Sequence, residues 1–232
     1  MPVPAVCFAA DVKHSKQMEK AYLIQVLEEC RETLNREFSG DLIIPFSVRN
    51  GDELVGVSEN FSSVYPVVKR LLTLSALRKC PFYLGIGIGG LETAGRSVHT
   101  MNGSAVIRAF EARDKHLKEK SEDARIWNGP DSETSVYFSS EHVPEGPLNA
   151  LFNFITTIRR GWSEKQRQVI ETIEKHPEWT YEKIGAHLGY KSPKSTVSHL
   201  LKRADYQKLK AVEESFIRLL ILYEKELNQK ER

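Results

Sequence analysis

Two periods of apolar and polar positions alternate along the first half of this chain. Residues 4–11 (PAVCFAAD) are small and apolar and end on an acid, the pattern of a buried strand. Residues 16–38 place Tyr22, Leu23, Val26, Leu27, Cys30 and Leu34 at i, i+3/i+4 spacing, which predicts an amphipathic helix. LIIPFSV (42–48) and ELVGV (53–57) predict two strands around Asn50-Gly51, a pair suited to a tight hairpin turn because both residues tolerate φ > 0. Ser58 is placed to cap a helix whose Phe61, Val64, Tyr65, Val68, Leu71 and Leu72 recur at helical spacing. FYLGIGIGG (82–90) predicts another long strand, and residues 104–119 a further helix.

The order β-α-β-β-α-β-α predicts an α+β fold of the ferredoxin-like βαββαβ kind, with helices covering one face of the sheet. Residues 120–150 are richer in Gly, Pro, Ser and acids. There ARIW and SVYF read as short edge strands, and residues 148–159 as a helix, so the first domain spans 1–150.

Beyond Gly161 the pattern becomes wholly helical. Ser163 opens a helix carrying Val169, Ile170 and Ile173; Thr180 caps a short one with Ile184 and Leu188; Gly189 makes a turn. Ser192-Pro193 starts a third helix with Val197, Leu200 and Leu201 inward. Residues 160–204 are thus expected to form a helix-turn-helix, and YEKIGAHLGYKSPKSTVSHLLKRA resembles the regulator pattern in which a small residue, Ala186, lets two helices pack closely. That resemblance implies that Lys191, Lys194, Ser195, Thr196, Ser198 and His199 face the DNA major groove, with Lys202 and Arg203 near phosphate. A three-helix interaction domain with a solvated basic face is the other reading. Residues 205–232 predict one long helix with apolar positions 209, 212, 216, 219 and 223, a coiled-coil seam. Such a seam either joins two protomers in a homodimer or packs on the first domain.

Charge sharpens the picture. Over residues 160–210 there are 11 Lys/Arg against 6 Asp/Glu, a local +5 in a chain of net +2, so the remainder is net acidic. A basic module on an acidic protein is the footprint of phosphate binding. The three widely spaced cysteines argue against a disulfide framework or zinc site and for a reducing compartment. With no signal-peptide pattern at the N-terminus and no membrane-spanning apolar run, the expected location is cytoplasmic. GIGIGG matches a dinucleotide-binding spacing by letter, but its glycines alternate inside a strand, which excludes that reading. They keep one sheet face flat, for a helix or for a ligand.

The candidate chemistry lies at strand ends. Asp11 ends the first strand, and Asp52 and Glu53 follow the hairpin turn. If these carboxylates converge, they suit Mg²⁺ or Mn²⁺. Lys13, Ser15 and Lys16, with the backbone N–H groups of the next helix, are placed to meet a triphosphate.

FAADVKHS, NGDELVGV and LGIGIGGLETAG resemble, in order, three segments of the fold shared by class III nucleotidyl cyclases and GGDEF diguanylate cyclases. These are the metal-binding strand, the acidic hairpin and the glycine strand with its turn. Together with NGSAVIRA, the first 115 residues are similar to the SatD family, some members of which carry a C-terminal helix-turn-helix. The resemblance implies a cyclase-like domain with metal on Asp11, Asp52 and Glu53. It also implies nucleotide on Lys13, Ser15, Lys16, Asn50, Gly51 and Arg108. Two departures stand out. Ile107 and Glu111 occupy the positions of the cyclases' transition-state Asn and Arg, with Arg108 and Arg113 out of register, and Asn50 replaces the first hairpin glycine. Two function classes follow: a DNA-binding regulator whose first domain senses nucleotide or serves as a scaffold, and a metal-dependent nucleotidyl cyclase or related phosphoryl-transfer enzyme.

Overall fold

The computed structural model describes residues 2–92, 97, 100–129 and 133–230. Thr93 and Gly95 of the glycine-strand motif, residues 130–132 and the last two residues of the expected C-terminal helix lie outside the described residues. The chain divides into two compact units, Met1–Ala150 with Ile217–Arg232, and Leu151–Phe216.

The first unit is built on a five-stranded sheet. β1 (Val3–Val12) leads through α1 (Lys20–Glu37) to the hairpin of β2 (Leu42–Arg49) and β3 (Glu53–Ser58). α2 (Val64–Leu77), β4 (Phe82–Leu91) and α3 (Ser104–Glu111) follow, and α3 runs on into a π-helical segment, Ala112–Lys118. Then come α4 (Glu122–Trp127), β5 (Ser135–Ser140) and α5 (Gly146–Arg160). The strand order is β2-β3-β1-β4-β5; the first four are antiparallel and β5 lies parallel to β4 at the edge.

Both faces of this sheet are covered, where the sequence pattern predicts one. On one face Ala5, Cys7 and Ala9 of β1 join Val55 and Val57 of β3 and pack against Ala105, Val106 and Ala109 of α3. The even-numbered side chains of β1, Val6, Phe8 and Ala10, point to the opposite face and are equally buried, as are the apolar stripes of α1 and α2. The glycines of β4 explain how α3 approaches so closely. A Cβ on Gly87 would lie 2.0 Å from the Ala105 carbonyl oxygen, and one on Gly85 would lie 2.1 Å from that of Ala109. The flat surface therefore serves a helix.

Two local expectations are corrected. ARIW lies in α4 and not in a strand, because the Ser121 hydroxyl accepts from the Ala124 N–H and Glu122 and Asp123 fill the first helical turn. Ser58 does not cap a helix: it ends β3 fully buried, and Asn60 caps the 3-10 turn Phe61–Ser63 through the Ser62 N–H.

All three cysteines are free and fully buried, and burial pushes the thiols up, to about 12 for Cys7 and Cys30 and about 11 for Cys80. Since only the thiolate attacks, a disulfide reagent at pH 8 is expected to leave all three unmodified in the folded protein and to titrate three in denaturant. Fast labelling of a native thiol would contradict this packing.

The second unit holds the end of α5, then α6 (Glu164–Lys175), α7 (Tyr181–His187), α8 (Pro193–Arg203) and the start of α9 (Tyr206–Lys230). Ser163 and Gln166 close a capping box on α6, and the Thr180 hydroxyl caps α7 through the Lys183 N–H. Trp162 donates from Nε1 to the Ala204 carbonyl at 2.9 Å, and Arg159 pairs with buried Glu213 at 2.5 Å. Along α9 the buried stripe is Leu209, Glu213, Phe216, Leu220, Tyr223 and Leu227. The first three lie in the second unit and the last three in the first; of the expected seam, positions 209, 216 and 223 are buried within the chain, and Val212 and Leu219 are half-buried.

Candidate functional site

The strand-end acids do come together, but in company the sequence does not announce. Asp11 and Glu53 are register partners on β1 and β3, and the Asp52 carbonyl accepts from the Val12 N–H at 3.1 Å, fixing the hairpin tip beside β1. Asn50 and Gly51 form that tip with φ of 51° and 90°, and both are exposed. The π-helical segment brings three further charged groups onto the acids. Arg113, 4% exposed, sets Nη1 at 3.3 Å from Glu53 Oε1. Lys118 sets Nζ at 2.7 Å from Asp11 Oδ2. Asp114 joins the two cations: it takes both Nε and Nη2 of Arg113 at 2.8 Å and lies 3.2 Å from the Lys118 ammonium.

The protonation behaviour follows from this packing. Burial raises the Asp11 carboxyl above its ordinary value; Lys118 pulls it back and the neighbouring Asp52 adds to the rise. Burial also works against charge on Arg113, Lys118 and Asp114, but their partners outweigh it, so both bases are held above their ordinary values and Asp114 below its own. The Arg113 guanidinium also lies over the Phe110 ring, with Arg49 near the same ring.

Of the residues expected to hold nucleotide, Ser15 reaches the hairpin tip of Asn50 and Gly51 through Asp52, and the others have different neighbours. Lys13 is buried, and its ammonium donates to the Glu133 carbonyl at 2.5 Å and to Ser135 Oγ at 2.8 Å, over the Tyr83 ring. It ties β1 to the start of β5. Ser15 donates to Asp52 Oδ2 at 2.8 Å, and Lys16 is exposed in a three-residue 3-10 turn. Arg108 lies between Glu111, at 2.9 Å, and Glu141, at 3.5 Å. Ile107, at the position of the cyclases' Asn, is 53% exposed. Asp114 and Lys118 are the site residues missing from the sequence reading, and their spacing of four, which pairs charges on a helix, is their local signal; Arg113, noted there as out of register, reaches Glu53.

The set does not fit the Mg²⁺ or Mn²⁺ implied by the cyclase resemblance. Two of its three carboxylates are already neutralised by an ammonium and a guanidinium, and a divalent cation on Asp11 or Glu53 would sit against like charge. Glu53 Oε2, buried and without a hydrogen-bond partner, is a carboxylate oxygen left open beside Arg113.

The second unit offers a different surface. Val197 and Leu201 of α8 are buried, and Lys194, Ser195, Ser198, His199, Lys202 and Arg203 are exposed, as is Lys191 in the turn before the helix. Thr196 is half-buried and turns partly inward. Gly189, φ 75°, makes the turn between α7 and α8. The close-packing residue is Gly185 and not Ala186: a Cβ on Gly185 would lie 2.5 Å from Pro193 Cα, whereas Ala186 is exposed. Across the α6–α7 connection the Trp179 indole is stacked by His176 at 4.0 Å and covered by the Lys183 ammonium at 4.3 Å.

These features define a mixed α+β protein, with a five-stranded sheet in one unit and helices alone in the other. The chain belongs to the SatD family, whose model matches residues 5–211 and so spans both units. No curated protein matches the chain. Among the described residues no helix is long and apolar enough to cross a membrane.

Proposed function

We propose that this chain is a DNA-binding regulator in which α6, α7 and α8 act as a helix-turn-helix on duplex DNA. Its first unit, a ferredoxin-like sheet of the cyclase type, acts as the accompanying scaffold. The observation that carries the reading is the outer face of α8. A helix anchored by Val197 and Leu201 presents Lys194, Ser195, Ser198, His199 and Lys202 to solvent, with Lys191 just before it. Lysine reads guanine O6 and N7 in the major groove, serine hydroxyls bond to several bases, and Lys202 and Arg203 suit phosphate. The local charge of +5 over residues 160–210 supports the same partner. Strand order β2-β3-β1-β4 supports the ferredoxin-like reading of the first unit.

The test is fluorescence anisotropy of the full chain with duplexes from upstream of its own coding sequence and with shuffled duplexes. Binding to at least one upstream fragment is expected to be tighter than to its shuffled version, and to weaken between about 50 and 200 mM salt as phosphate contacts release counterions. No binding to any duplex at the lower salt, with about 10 µM protein, would defeat the proposal.

A further inference from the structure

The carboxylates at the ends of β1 and β3 have partners that only an unusual helix supplies. In an α-helix, residues five apart point about 140° away from each other. Arg113 and Lys118 are five apart, yet both reach down to the sheet, onto Glu53 and Asp11. The π-helical segment makes this possible: the Glu119 N–H bonds to the Asp114 carbonyl at 3.1 Å and the Ser121 N–H to that of His116 at 3.0 Å, each spanning five residues. The widened turn sets Arg113 and Lys118 one above the other on the same face, with Asp114 bonded to both. Gly85 lets the helix lie low enough to do so, since its missing Cβ leaves room for the Arg113 backbone N, 2.5 Å from where that Cβ would be.

The result is an unbroken chain of alternating charge, Glu53–Arg113–Asp114–Lys118–Asp11. Its three carboxylates alone would carry −3, a charge suited to a divalent cation; with the two bases the chain carries −1. We infer that Arg113 and Lys118 are resident counter-cations, doing for the strand-end carboxylates what a divalent ion does in a metal-dependent site, and that Lys118 and such an ion exclude one another from Asp11. The helix charges then hold the hairpin to β1 without any metal, and the first unit is a metal-independent scaffold. This deepens the scaffold reading of the first unit and is independent of whether α8 reads DNA.

Mn²⁺ alone is the probe, with binding followed by electron paramagnetic resonance of the free ion and by thermal melting of the full chain. Wild type is expected to bind with a Kd no tighter than about 1 mM and to melt at the same temperature with and without the ion. Lys118→Met keeps the apolar stem and removes the ammonium. It is expected to gain at least roughly tenfold in Mn²⁺ affinity, the scale on which neighbouring groups tune metal sites, and to lose that gain again on adding Asp11→Asn. Lys118→Gln replaces it should the Met variant not fold. Two results would overturn the inference. One is micromolar Mn²⁺ binding by wild type that Asp11→Asn abolishes; the other is a folded Lys118 variant that binds no better than wild type. Neither readout involves DNA, so failure here leaves the anisotropy result untouched, and failure there leaves this one.

Discussion

Gly87→Ala should destabilise the protein by about 3 kcal/mol, the upper end of what overpacking a core costs. The added methyl has nowhere to go: it would lie 2.0 Å from the Ala105 carbonyl oxygen and 2.3 Å from the Ala109 nitrogen, both backbone atoms that no rotamer change can move. α3 must lift from β4, which opens the packing of Ala105 and Ala109 on Ala5, Cys7 and Ala9. The same lift draws Arg113 away from Glu53, so the ion chain should weaken together with the core. Gly40→Ala is the control, because no atom lies within 4 Å of its added Cβ; a change within about 0.5 kcal/mol is expected there. Urea midpoints of the two variants decide the matter. If Gly87→Ala unfolds at the same urea concentration as Gly40→Ala, the helix does not rest on the strand as described.

The second large effect concerns α8. Replacing Lys194 and Lys202 together by alanine is expected to lower affinity for the best-bound duplex by about 100-fold, from one groove contact and one phosphate contact at 1–3 kcal/mol each. The two single variants should differ in kind. Lys202→Ala should weaken binding to all duplexes alike and reduce the salt slope by about 1, and Lys194→Ala should blur the preference for one sequence over another. Both side chains are exposed, so the melting temperature should hold within the scatter of surface substitutions. Unchanged affinity in the double variant would move the DNA contact off α8.

Much of this architecture is legible in the sequence. The helical stripes, the Asn50-Gly51 turn and the caps at Ser163 and Thr180 are local rules, and local rules hold where neighbours agree with them. Four residues such as ARIW are too short a pattern to tell helix from strand. The decisive signal, Ser121 followed by two acids, lay just upstream. Gly185 was passed over for Ala186 because spacing alone does not say which of two small neighbours faces the other helix.

The charge network was harder to read, for a physical reason. Asp11, Asp52 and Glu53 could be placed at neighbouring strand ends from pattern alone. Their partners come from a helix more than 50 residues further on, through a π turn that nothing in ARDKHLK signals locally. It lies against a glycine strand that lets the helix approach closely, a tertiary setting that ARDKHLK alone does not show. Pattern locates the acids and notes Arg113, but does not show which acid each base neutralises.

The placement of α9 has a consequence in time. Residues 151–216 are an insertion in a discontinuous unit, whose Leu220 and Leu227 are buried and whose Tyr223 donates to the Pro144 carbonyl at 2.6 Å. A ribosome that has just finished Ala150 has made every strand of the sheet but none of these three side chains. At 5–20 residues per second, the 77 residues from there to Leu227 take about 4–15 s. For that interval the Pro144 carbonyl lacks its Tyr223 partner, while a whole helical unit is synthesised and free to fold ahead of it.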